Sequence, residues 1–200
     1  MQIAALVLAA GHSSRFKDGN KLMASIDGLP LVRRVLAAVE ASAVTDILLV
    51  VAPEAQSVVE AAGPGRWRAV TNSEADKGLA SSLRAGITAL PPTTDGALVI
   101  LADMPGVSTE LIARVMAAFA AEGGSVIAYP ADNTGRQGHP VLWPKCLFPE
   151  LLALEGDTGG KILLQKHKAI SHTVQVSGAD AFIDIDTQAD LARLKGEHSS

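Results

Sequence analysis

Six apolar residues, Ile3 to Leu8, run without a break before the chain turns small and polar. A continuous run of that length reads as a strand buried on both faces. Comparable runs follow at Asp46–Pro53, Arg66–Thr71 and Gly96–Ala102. Between them the apolar positions change to helical period. Pro30 opens a helix whose Leu31, Val32, Val35, Leu36 and Val39 share one face, and Glu54–Ala62 predicts a short second one. Leu79, Leu83, Ile87 and Leu90 stripe a third helix, closed by Pro91 and Pro92. Ser108 is placed to cap a fourth, with Leu111, Ile112, Val115, Met116 and Phe119 facing the core. Strand and helix in strict alternation predict an α/β fold, a mainly parallel sheet with helices on both faces.

Beyond Ser125 the rhythm loosens. Strands are expected at Val126–Tyr129, Val141–Trp143, Thr173–Val176 and Phe182–Ile185, with a helix over Gly159–His167 and a last one from Thr187. No repeat or long linker interrupts the 200 residues, so the expectation is one domain.

Composition removes several function classes. A net charge of −4 without any Lys/Arg block, and 4% aromatic residues, leave no nucleic-acid footprint. Cys146 is the single cysteine, which excludes a disulfide framework; a part-buried, ordinary position is expected for it. The five histidines are not spaced as a zinc pair on one helix face, and no Gly-x-Ser-x-Gly elbow occurs. The N-terminus lacks a basic leader and turns polar too soon for a span of roughly 20 residues, so a cytoplasmic protein without membrane contact is expected.

In open α/β sheets ligands sit beyond the carboxyl ends of the strands. After the first strand comes "AAGHSSRFKDGNK". Ala9, Ala10 and Gly11 let a ligand approach the backbone closely; Ser13 and Ser14 offer hydroxyls, Arg15 a planar fork and Lys21 a point charge for phosphate oxygens. The stretch fits neither a dinucleotide fingerprint nor a Walker A loop, and a solvated loop is the structural alternative. After the fourth strand comes "LADMPG". Asp103 there needs a partner, because an isolated buried carboxylate is costly; a phosphate-borne divalent cation is one, a helix cap the other. "FIDIDTQADL" repeats the theme: Asp184 and Asp186, two apart, face one side if the segment is a strand. Asp186 or Thr187 suits the N-cap of the last helix, leaving Asp184 as a second metal ligand. "EGDTGGKIL" resembles a phosphate loop without satisfying one, and serves equally as a turn or as an anion site helped by Lys161.

Together these stretches resemble the molybdenum cofactor cytidylyltransferases of the MobA-like nucleotidyltransferase family. The carriers are "LAAGHSSRF" with Lys21, "NSEADKGLASSLRAG", "LADMP", "GHPVL", "GDTGGK" and "DIDTQADL", in order from Ile3 to about Leu194. The resemblance implies a three-layer Rossmann-like fold, with a nucleotide half over about 1–106 and an acceptor half over about 107–195. It implies Mg²⁺-dependent transfer of CMP from CTP to the terminal phosphate of molybdenum-molybdopterin, releasing pyrophosphate, and a client molybdoenzyme or its chaperone as a further partner. It places Leu8, Ala9, Ala10, Gly11, Ser13, Arg15, Lys21, Asn72, Gly78 and Ser82 on the nucleotide, with Arg15, Lys21 and Asp103 catalytic. Asp103 with Asp184 or Asp186 would hold Mg²⁺. Gly138, His139, Pro140, Gly156, Asp157, Gly159 and Lys161 would line the acceptor side. Ala10, where guanylyl relatives carry glycine, implies the smaller cytosine. The family's Gly-Ala-Arg is here Gly159–Gly160–Lys161, which exchanges a fork for a point charge. Two rival functions share these residues: a cytidylyl- or guanylyltransferase for a sugar or alcohol phosphate, and a non-enzymatic molybdenum cofactor carrier.

Overall fold

A computed structural model describes residues 1–11, 20–157, 159–177, 182–185 and 187–197. The first strand, β1 (Ile3–Leu8), is buried along its whole length. The hairpin β2 (Ser25–Ile26) and β3 (Leu29–Pro30) leads into α1 (Leu31–Glu40). β4 (Asp46–Val51), α2 (Gln56–Ala62), β5 (Arg68–Thr71), α3 (Leu79–Thr88), β6 (Gly96–Leu101) and α4 (Thr109–Ala121) follow. The second half holds β7 (Ile127–Ala131), β8 (Val141–Pro144), α5 (Phe148–Leu152), α6 (Lys161–Lys166), β9 (Ser171–Gln175) and α7 (Gln188–Glu197).

Seven strands form one sheet in the order β5-β4-β1-β6-β8-β7-β9. β1 runs parallel to β4 (Leu6 opposite Leu48) and to β6 (Leu6 opposite Val99). β8 lies antiparallel to both its neighbours, β6 and β7, whereas β7 and β9 are parallel. The sheet is thus mixed and mostly parallel, as the alternation of elements predicts.

Strand side chains alternate between two cores. Ala5 and Val7 of β1 face Val32, Val35 and Val39 of α1, Val58 of α2 and Ile112, Val115 and Phe119 of α4. Leu6 and Leu8 face the opposite layer, with Leu83 and Ile87 of α3, Leu151 of α5 and Leu163 and Leu164 of α6. These are the three layers expected. Gly86 allows α3 to lie close on the sheet, since a Cβ there would stand 2.9 Å from Leu6 Cδ1. A third, small cluster of Ile26, Leu31 and Ile185 joins the hairpin to Leu191 of α7.

The structure departs from the sequence reading at identifiable places. Phe182–Ile185 is not a strand. Phe182 and Ile185 are both buried, three residues apart, and the Ile185 amide donates to Asp103 O (3.0 Å) instead of to a sheet neighbour. The same-side argument for Asp184 and Asp186 therefore falls with the strand. Thr187 caps α7: its Oγ1 accepts from the Asp190 amide (3.2 Å), while Asp190 Oδ2 accepts from the Thr187 amide (2.9 Å). Cys146 is exposed, not part-buried, because it sits in the turn after β8 with Leu147 taking the core position. The hairpin and α5 escape the periodicity altogether. The hairpin's signal was Asp27–Gly28, both at positive φ (53° and 79°), as a two-residue hairpin turn demands.

Candidate active site

The carboxyl ends of β4, β1 and β6 lie side by side, and their ladders run one residue further, with Ala9 N donating to Val50 O of β4 (2.8 Å) and Ala102 N to Leu8 O of β1 (3.0 Å). After β1 and after β6 the chain leaves the sheet, which opens a cleft of about 410 Å³ above them. Leu8, Ala9, Ala10, Gly11, Lys21, Gly78, Ser82 and Asp103 line it, so eight of the residues anticipated for nucleotide and metal meet there. Asn72 lies beneath rather than in the cleft. It is buried, and its side-chain amide donates to Ser81 Oγ (2.8 Å) and to Ser82 Oγ (3.2 Å), fixing the serine that does line the wall. Ser13, Arg15 and Asp186 fall outside the described residues.

A second cleft of about 560 Å³ adjoins the first across Leu8, Leu79 and Leu101, which line both. Its walls include Gly138, His139, Gly159 and Lys161 of the expected acceptor residues, over a floor with Trp143 and Val141 of β8. Pro140 is buried behind the wall. Asp157 lines the first cleft, and Gly156 is seated against Gly78. Gly160 has a steric reason: a Cβ would stand 2.5 Å from Trp143 Cζ2, so the alanine of the family pattern has no room here.

In the wall of the first cleft Lys21 Nζ pairs with Asp103 Oδ2 at 2.5 Å, with side chains only 14% and 18% exposed. Lys21 is presented by a short 3-10 turn whose start is fixed by Asn20, which accepts from the Leu22 amide (3.0 Å). Asp103 Oδ1 is buried and has no hydrogen-bond partner among the described residues. The backbone bond from Ile185 to Asp103 O brings the Asp184 segment beside Asp103, and Asp184 itself is exposed. His139 lies near both carboxylates. Its Nδ1 is 3.3 Å from Val99 O, and since a carbonyl only accepts, that nitrogen carries the proton. Burial pushes this imidazole below its ordinary pKa, against the pull of the Val99 carbonyl and of the Asp103 and Asp184 charges.

A divalent cation fits this chemistry. One carboxylate oxygen is orphaned, a second carboxylate is held nearby, and the remaining ligands are what a triphosphate brings. No cluster of three His, Cys, Asp or Glu side chains exists among the described residues, so the protein alone offers no closed cage there.

Sequence reasoning missed Arg136 and Gln165, which line the second cleft. Arg136 lies over the Phe182 ring (5.3 Å to the centroid) and donates to Phe182 O (2.9 Å), tying the cleft wall to the Asp184 segment. Asp132 holds that loop in shape by accepting from the amides of Thr134 and Arg136, both at 2.9 Å. Those bonds, the Thr134 hydroxyl's first among them, lower its pKa. The spacing Asp132–Thr134–Arg136 was the available signal.

Comparison with known proteins adds the lineage. The family described as MobA-like NTP transferase domain matches residues 5–171. A nicotine blue oxidoreductase of Paenarthrobacter nicotinovorans is 26% identical over 96% of each chain. A molybdenum cofactor guanylyltransferase of Vibrio cholerae is 27% identical over 96% of this chain and 91% of that one. Among solved structures, Rv0371c of Mycobacterium tuberculosis H37Rv superposes with a TM-score of 0.86 at 26% identity, covering 98% of both chains. A structure of Rv0371c in complex with manganese aligns at TM-score 0.80 and 24% identity, over 98% of this chain and 99% of that one.

Proposed function

The chain belongs to the MobA-like NTP transferase domain family, and on that premise we propose that it transfers CMP from CTP to the terminal phosphate of molybdenum-molybdopterin, releasing pyrophosphate. The observation that carries the reading is the orphaned Oδ1 of Asp103, in a small-residue cleft that adjoins a second cleft bearing His139 and Lys161.

Ala9, Ala10 and Gly11 let the nucleoside lie on the end of β1, and Ser82 and Gly78 form the facing wall. Lys21, and Arg15 earlier in the same stretch of sequence, meet the triphosphate charge. Asp103 and Asp184 would hold Mg²⁺, which supplies charge neutralisation on the phosphates and the leaving pyrophosphate. Lys21 pairs with Asp103, so the cationic group for phosphate and the carboxylate that would hold the metal stand side by side. His139, with Nδ1 on the Val99 carbonyl, stands in the wall of the second cleft. No base is required of the protein when the attacking group is an already ionised phosphate. Catalysis then rests on alignment and on preorganised charge.

Pyrophosphate release with Mg²⁺ tests the proposal, CTP and GTP being compared with molybdopterin, a sugar phosphate and an alcohol phosphate as acceptors. Turnover is expected with CTP and molybdopterin. Turnover with another acceptor moves the protein to that branch of the chemistry. Release with none makes it a carrier or, as the name of the Paenarthrobacter relative illustrates, an enzyme of another class.

A further inference from the structure

α3 begins without a cap of its own, because Gly78 has no side chain to offer the first orphan amides. They are satisfied from more than 75 residues away. Asp157 Oδ1 accepts from the Leu79 amide (3.1 Å), and Gly156 O accepts from the Ala80 amide (3.1 Å). The contact is tight. A Cβ on Gly78 would stand 2.5 Å from Asp157 Oδ1 and 2.9 Å from Gly156 O, and its φ of +88° disfavours a side chain in any case. Gly78, anticipated beside the base, is thus required by the loop that lands on it.

From this anchor the loop runs between the two clefts. Asp157 faces the nucleotide side, while Gly159, Gly160 and Lys161 face the acceptor side. Gly159 packs on Leu79, where a Cβ would lie 2.8 Å from Cδ2, and Gly160 packs on Trp143. Gly159, Gly160 and Lys161 therefore follow an anchor made of two hydrogen bonds to the start of α3 and two close glycine contacts.

We propose that Asp157 is a positioning residue: by capping α3 it fixes where Gly159, Gly160 and Lys161 stand in the second cleft and so sets the acceptor-binding face. This rests on the nucleotidyl-transfer reading. The role needs an acceptor oxygen at that point, not a negative charge. An asparagine side chain in its place would keep the oxygen, whereas an alanine would not, so the test compares Asp157→Asn with Asp157→Ala.

Asp157→Ala is expected to speed hydrogen exchange of the Leu79 and Ala80 amides and to raise the KM for molybdopterin roughly five- to tenfold, the scale of a lost helix cap. The KM for CTP is expected to move less than the acceptor KM. Asp157→Asn is expected to restore slow exchange and most of the acceptor KM. An Asn variant as impaired as the Ala variant overturns the proposal, since it would mean that the charge itself meets a substrate. An active wild type whose Ala variant keeps slow exchange, or an unchanged acceptor KM, overturns the role of Asp157 alone. A wild type releasing no pyrophosphate overturns the transfer reading and this reaction role with it, while the exchange data still report whether the bond exists.

Discussion

Asp103 gives one oxygen to Lys21 and keeps the other buried, with no hydrogen-bond partner among the described residues. An amide at that position would retain the shape but not the charge that pairs with Lys21 and that the proposed cation would need. Asp103→Asn is expected to lower turnover at least about a hundredfold, the scale of removing a preorganised electrostatic group, with circular dichroism unchanged. Pyrophosphate release and Mn²⁺ titration check it, and near-normal values of both would remove the metal assignment. In the proposed reading the choice of base rests on Ala10. Ala10→Gly is expected to lower the CTP-over-GTP ratio of kcat/KM by about tenfold or more, since one methyl group in a pocket discriminates on that scale. An unchanged ratio would place base selection elsewhere in the cleft.

Among the elements, α4 has its start fixed by one hydroxyl: Ser108 Oγ accepts from the Leu111 amide at 3.1 Å. Ser108→Ala is expected to cost about 1 kcal/mol, lowering Tm by a few degrees in a scanning melt, because the amide loses its partner. α5 and α6 are joined by Glu150, which accepts from His167 Nε2 (3.0 Å) and Lys166 Nζ (2.7 Å). The His167 bond first, then the Lys166 bond, holds this carboxyl below the usual glutamate value of 4.5. A depressed folded-state pKa means that the stabilisation is present above about 4.5 and fades as the pH falls below it. Melts from pH 6 to pH 3 should therefore decline less steeply in Glu150→Gln than in the wild type. Parallel curves would show that the clamp contributes nothing.

At the scale of the whole molecule, the sheet and its helices were legible because burial on both faces writes itself as unbroken apolar runs. β1 and the core face of α1 were read residue by residue. Asp103 and Lys21 stood out because nothing in their own stretches of sequence accounts for them, whereas Gly78 has a structural reason in the loop that lands on it. What stayed hidden depends on partners remote in sequence. Phe182–Ile185 has the composition of a strand, yet its amide at 185 is claimed by Asp103 O and its carbonyl at 182 by Arg136. Gly156 and Asp157 read as part of an acceptor loop, and nothing local reveals that they cap a helix starting at residue 79. Asn72 carries a nucleotide-loop signature but spends its amide on two serine hydroxyls.

Leu8, Leu79 and Leu101 form the ridge common to both clefts. In the proposed reaction the two charged substrates would meet across this strip of leucine side chains. Adventitious attack by a water molecule on the activated nucleotide is disfavoured there, since the intruder would forfeit its own hydrogen bonds on arrival. Leu101→Ser would wet the strip, and its signature is futile breakdown of CTP when no acceptor is supplied.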